Sequence, residues 1–151
     1  MTSRKLGTGG VRVRAHAGPV LDAWLVLLKG LLAGRTWTRV PVSISDERLL
    51  GGLDLPATLA AGRPVLQAGV LVSADNGVIV MPMAERLPGG TAARIAAALD
   101  QREVLLERDG LCDRRAARFG VVLLDEGLDR LAREDILILL DGVGWNLGTT
   151  N

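Results

Sequence analysis

The sequence predicts an α/β protein in which helices cover a parallel β-sheet. Three observations predict it. Short apolar runs alternate along the chain with helical patterns. The spacers between the runs are long enough for crossover connections. One run, Val78-Ile79-Val80, is apolar without alternation, as in parallel strands buried on both faces. A chain of 151 residues with 48% apolar side chains suits one domain with its own core.

Gly10–Ala15 opens the series as a β-branched strand bounded by glycines. After a turn at His16–Gly18, Pro19 stands at the first helical position, where its missing N–H costs nothing. The helix places Val20, Trp24, Leu27, Leu28 and Leu31 at helical spacing and stops at Gly34. Trp37–Ile44 reads as a second strand, with Pro41 assigning it to an edge. Ser45 is the next helix cap, without a capping box because Arg48 stands three residues on. A helical turn then reaches Gly51-Gly52, and Leu55–Ala61 forms another short helix.

Gly77–Met81 is the buried strand, and Thr91–Asp100 a helix capped by Thr91. Glu103–Glu107 and Leu111–Asp113 flank Asp109-Gly110, a hairpin signal. Arg118–Leu124 is the fourth main strand and Arg130–Leu140 a final helix. No internal repeat is visible.

Composition excludes several classes. The net charge is +1, so no broad field attracts nucleic acid or anionic lipid. Lone Cys112 allows no internal disulfide, and with lone His16 it cannot complete a structural zinc site. Val20–Ala33 falls short of the roughly 20 residues a membrane span needs. Met1–Gly10 lacks the apolar core of a signal peptide. A cytoplasmic location is expected.

Three segments then point to one family. The first is Ile44-Ser45-Asp46-Glu47-Arg48-Leu49-Leu50-Gly51-Gly52-Leu53-Asp54-Leu55 with Ala57–Arg63. The second is Gly69-Val70-Leu71 through Ala74-Asp75-Asn76-Gly77 into Val78–Met81. The third is Leu106-Glu107-Arg108-Asp109-Gly110-Leu111 with Ala117-Arg118-Phe119. In that order they resemble the ATPase-type domain found in the I and D subunits of magnesium chelatase. The resemblance implies a P-loop (AAA+) three-layer core, incomplete, with a β-hairpin insertion. It assigns residues 9–128 to a degenerate ATPase-type domain and 129–151 to a divergent or truncated tail.

The nucleotide positions separate the two kinds of subunit. The family's phosphate loop, Gly-x-x-Gly-x-Gly-Lys-Ser/Thr, falls on Ala15–Asp22. Gly18 is kept, Pro19 removes a backbone donor, Leu21 replaces the lysine and Asp22 the Mg²⁺-binding hydroxyl. One unit charge about 4 Å away is worth roughly 4 kcal/mol at an effective dielectric near 20. Micromolar binding totals only about 8 kcal/mol. Losing the lysine and gaining Asp22 therefore removes most of the affinity.

The strand that ends in Asp-Glu in active relatives ends here in Pro82-Met83. Glu85, two residues on, reads as a solvated charge. Leu123-Leu124-Asp125-Glu126-Gly127 replaces the polar sensing residue, with Asp125 and Glu126 as loop caps. His16 reads as an exposed spectator, Cys112 as a small packing residue, and Trp24 and Trp37 as core or core edge.

This is the D-type pattern, and no catalytic residue or metal ligand is assigned. The resemblance implies a platform protein that binds no cofactor itself while ATP and Mg²⁺ serve the I-type ATPase subunit. Partners would be that I-type ATPase and the porphyrin-binding H-type component, in a homo- or hetero-oligomeric ring. The enzyme inserts Mg²⁺ into protoporphyrin IX on the way to chlorophyll or bacteriochlorophyll. Interface candidates are Asp46, Arg48, Gly51, Gly52, Asp54, Arg108 and Asp109. The family's arginine-bearing helix, lid, acidic linker and integrin-type domain are expected to be missing, with Gly142 where Leu-Leu-Asp-Arg has its arginine. A divergent active ATPase and an inactive gene fragment are the two other readings.

Overall fold

The computed structural model describes residues 9–14, 18–108 and 110–125. The expected final helix at Arg130–Leu140, the whole tail, His16, Asp109, Glu126 and Gly127 lie outside the described residues. Four parallel strands form the central sheet in the order β1 (Gly9–Arg14), β8 (Gly120–Asp125), β5 (Val78–Met81) and β2 (Trp37–Arg39). Between them in sequence lie β3 (Gly51–Leu53), β4 (Leu66–Ala68), β6 (Glu103–Arg108) and β7 (Leu111–Ala116). These four make two antiparallel ribbons, β3–β4 and β6–β7.

The strict two-residue period of a strand sorts the sheet into two apolar faces. Val78, Val122 and Leu124 are buried on one side under α1 (Pro19–Leu31), together with Leu21. Trp24, Leu25, Leu28 and Trp37 pack around them. Ile79, Met81, Val121 and Leu123 face the other way. There they meet Ile95 and Leu99 of α5 (Gly89–Gln101), Leu71 of α4 (Val70–Ser73) and Leu49 of α2 (Asp46–Leu50). Helix, sheet and helices make three layers, as expected.

Several local expectations hold. Ser45 caps α2, its Oγ accepting from the Arg48 N–H at 3.4 Å. Leu55–Ala61 is α3, and Asp54 caps it by accepting from the Ala57 N–H at 3.0 Å. β2 is an edge strand, as Pro41 implies.

Others shift. β2 stops at Arg39, although the Val40 N–H still donates to Val80 at 2.9 Å; Pro41 has no N–H with which to continue. Helix α5 begins two residues before Thr91, with Pro88 at its cap position and Thr91 buried inside the first turn. The hairpin arms run longer than predicted, to Arg108 in the first and Ala116 in the second, because cross-strand pairing continues from Arg108–Leu111 to Glu103–Ala116. The apolar stripe of α1 is Leu21, Trp24, Leu25, Leu28 and Leu32, so Val20, Leu27 and Leu31 stand outside it at 83%, 69% and 82% exposure.

Candidate functional site

All four central strands are parallel, so their carboxyl ends share one edge of the sheet. In open α/β sheets this is the edge that receives ligands. Gly18 and the first turn of α1, the Pro82-Met83 turn after β5, and Asp125 at the end of β8 all lie there. The relic positions named from the sequence are therefore brought to one edge.

Their chemistry is unlike that of a phosphate site. The Leu21 side chain is 8% exposed and packs on Val78, Val122 and Leu124, so its position faces the core. Asp22 is exposed in the first turn of α1, where its charge suits the positive helix end that a phosphate would otherwise occupy. Pro82 is half-buried, and Met83 is exposed in a left-handed conformation at φ 53°. Among the described residues, no cluster of three or more His, Cys, Asp or Glu is arranged to hold a metal ion. These residues do not fit a nucleotide-bound Mg²⁺.

The same edge holds a buried charge that the sequence did not announce. Asp125 is fully buried, and its Oδ2 lies 3.1 Å from Arg12 Nε and 3.7 Å from Arg14 Nε. The register pairs Arg14 with Asp125 and Arg12 with Leu123, so both arginines reach the carboxylate from the neighbouring strand. Burial without such partners would cost several kcal/mol (on the order of 3–5 kcal/mol). Asp125 thus joins β1 to β8 and is no exposed loop cap. Glu85 is also buried, inside the short 3-10 turn Ala84–Arg86, and is not the solvated charge expected. Alternating Arg12 and Arg14 among valines was the available signal for the first pair; nothing local marks Glu85.

A second cluster lies to the side, where the two ribbons meet α2 and α4. Gly51 adopts φ +115° and approaches the Gln67 carbonyl so closely that an added Cβ would sit 2.5 Å from its oxygen. The same Cβ would lie 3.0 Å from Leu106 Cδ1, and a Cβ on Gly69 would collide with the Gly51 backbone. Glycine at these positions lets the β3 backbone pack against the backbone at Gln67 and Gly69 and under the Leu106 side chain of β6. Gly51 and Gly52 are buried, so they shape this lobe from inside.

The polar candidates surround that glycine contact. Asp46 pairs with Arg94 of α5 at 3.0 Å, and Arg108 at the hairpin end pairs with Glu47 of α2 at 3.1 Å. The two segments singled out separately in the sequence are therefore neighbours, and the hairpin end is tied to α2. Arg48 is exposed beside a cleft of about 340 Å³ lined by Glu47, Gly52, Gln67, Val70 and Ser73. Asp54 is occupied as the cap of α3. Cys112 is exposed on β7 and so is not a packing residue. Glu47 and Arg94 were missed, because their partners are distant in sequence.

Comparison with known proteins fits this geometry. A magnesium-chelatase 60 kDa subunit from Cereibacter sphaeroides is 38% identical over 148 residues, covering 92% of this chain. The chain belongs to the magnesium-chelatase D-subunit family. It spans 23% of that relative's length. A magnesium-chelatase 38 kDa subunit from Rhodobacter capsulatus is 28% identical over 83 residues, covering 55% of this chain and 24% of the relative. No protein-family model matches the chain. Among solved structures, a cryo-EM-based model of the complex between the BchI and BchD subunits of magnesium chelatase superposes with a TM-score of 0.63. It is 21% identical and is matched over 80% of this chain and 48% of that one, which establishes the AAA+ type of fold. No helix among the described residues is long and apolar enough to cross a membrane.

Proposed function

We propose that this chain is a non-hydrolysing platform module of a magnesium chelatase, holding an ATPase subunit in the assembly that inserts Mg²⁺ into protoporphyrin IX. The observation that carries this reading is Leu21. At the position of the phosphate-loop lysine, the chain places a core leucine packed on Val78, Val122 and Leu124. A triphosphate would lose its main cation there and meet Asp22 instead. Nucleotide and Mg²⁺ would be bound by the ATPase partner and not by this chain.

Assembly would then rest on shape and charge. The side lobe offers Arg48 and the ion-paired Asp46, Glu47 and Arg108 on a frame fixed by Gly51. Such partly exposed charges set partner choice and association rate more than raw affinity. The solved complex of BchI with BchD supports an ATPase-type partner, and a porphyrin-binding H-type protein would be the third component. The pathway served would be chlorophyll or bacteriochlorophyll synthesis, in the cytoplasm.

Co-expression with a cognate 38 kDa-type subunit, followed by size-exclusion chromatography, tests the proposal. Co-elution is expected, with Arg48→Glu shifting the chain toward free protein. Separate elution of a soluble, folded chain would remove the platform role. Insolubility that the partner does not relieve would favour an inactive fragment.

A further inference from the structure

The acids and arginines of α2 do not balance. Asp46 is held by Arg94 and Glu47 by Arg108. Arg48, exposed between them in chain order with Leu49 buried behind it, makes no ion pair and no side-chain hydrogen bond among the described residues. It lines the cleft of about 340 Å³. Gln67 of β4 lines the same cleft, and its side-chain amide is likewise unengaged among the described residues. The other polar groups there are occupied. Ser73 donates its hydroxyl to the Gly69 carbonyl at 3.1 Å. Glu47 lies over Gly52, where an added Cβ would stand 3.4 Å from its Cγ, and its carboxylate is taken by Arg108.

We propose that this cleft receives an Asp or Glu side chain from an acidic segment of the ATPase partner, an inference that rests on the platform reading above. The guanidinium offers five N–H donors and the amide two more, which matches a group that only accepts. The volume lies at the small end of ligand pockets, roughly 300–1,000 Å³, and suits a side chain or two of a peptide. An exposed cation gains little from a free anion in water. The carboxylate must therefore arrive on a larger surface that excludes water, where a close charge pair counts for more. Arg108 keeps the cleft open to it by holding Glu47, the resident competitor, to one side.

Titrating the full chain with a cognate 38 kDa-type subunit at low ionic strength tests this. Arg48→Glu should weaken the complex at least about tenfold and flatten its salt dependence, with the unfolding midpoint unchanged. Arg63→Glu, the same charge change at an exposed site outside the cleft, should weaken it less than about threefold. Glu47→Gln should not weaken it, because the acid removed competes with the incoming one. Arg48→Lys keeps the charge and adds a reactive amine. Carbodiimide should couple that amine as an amide to an Asp or Glu of the partner, the reagent taking up the water lost. Lys5 and Lys29 are the other lysines, so the site of coupling is read by mass spectrometry. Three results would overturn the cleft assignment while leaving the platform reading in place: a complex that Arg48→Glu leaves intact, equal weakening by Arg63→Glu, or coupling only to this chain's own acids. Failure of the unaltered chain to bind the subunit at all would remove both.

Discussion

The carboxyl-end edge of the sheet and the side lobe are built from opposite materials. At the edge, the positions that would handle a triphosphate hold Leu21, Asp22, Pro82 and Met83, and the buried acid Asp125 is closed by Arg12 and Arg14. In the lobe, glycines bring ribbons into close contact, and the charges stay at least partly in solvent. The buried charge at the edge, Asp125, is consumed by holding β1 and β8 together. Charge in the lobe remains available to another surface. On the proposed reading, a P-loop frame with other residues at its reacting positions keeps the parts that meet neighbours.

Mutations can sharpen or break that contrast. The largest effect is expected from Asp125→Asn, which leaves Arg12 and Arg14 without their buried counter-charge; it should cost about 3 kcal/mol of stability, read from a denaturant midpoint. A cost near zero would mean that the edge is not closed by this carboxylate. Leu21→Lys comes next. It removes a buried leucine and should cost about 2 kcal/mol, without conferring ATP binding, because Asp22, Pro82 and Met83 remain. Gain of nucleotide affinity from this one change would show the pocket to be poised rather than dismantled.

In the lobe, Gly51→Ala should cost more than about 1 kcal/mol, because φ +115° is strained for alanine and the new Cβ meets the Gln67 carbonyl. Limited proteolysis should then find the β3–β4 ribbon loosened. The smallest effect on folding is expected from Arg108→Ala, about 0.5 kcal/mol, since both members of the Glu47 pair are about half or more exposed. Partner association should fall further than stability does. Equal losses in both would reduce Arg108 to a structural role.

Much of the sheet is legible in the sequence because both-face burial writes itself as continuous apolar runs, as in Val78–Met81. The Ser45 cap was legible too, since it acts on a neighbour three residues away, whereas Thr91 lies inside α5 and Asp54, read only as an interface candidate, proved to be a cap. What failed depended on distance or on small angular shifts. The α1 stripe was misplaced, because Leu21, Trp24, Leu25, Leu28 and Leu32 lie beside equally apolar Val20, Leu27 and Leu31, and only the sheet decides between them. Ribbon β3–β4 is three residues per strand, two of the three in β3 being glycine, too short for periodicity to reveal.

Departures from the family's nucleotide site were read from Leu21, Asp22, Pro82 and Met83 as residue types, and the structure adds where they lie. The Asp125 pairs were missed despite the alternating arginines of β1, since β1 and β8 are separated by most of the chain yet lie side by side. The same holds for Glu47 with Arg108.

The central claim is that this frame no longer holds nucleotide, and calorimetric titration of the chain with ATP-Mg²⁺ tests it most directly. The account predicts no saturable heat up to about millimolar ATP, the regime of only about 4 kcal/mol of binding free energy. A stoichiometric isotherm with a dissociation constant in the micromolar range, lost on Gly18→Val, would contradict it.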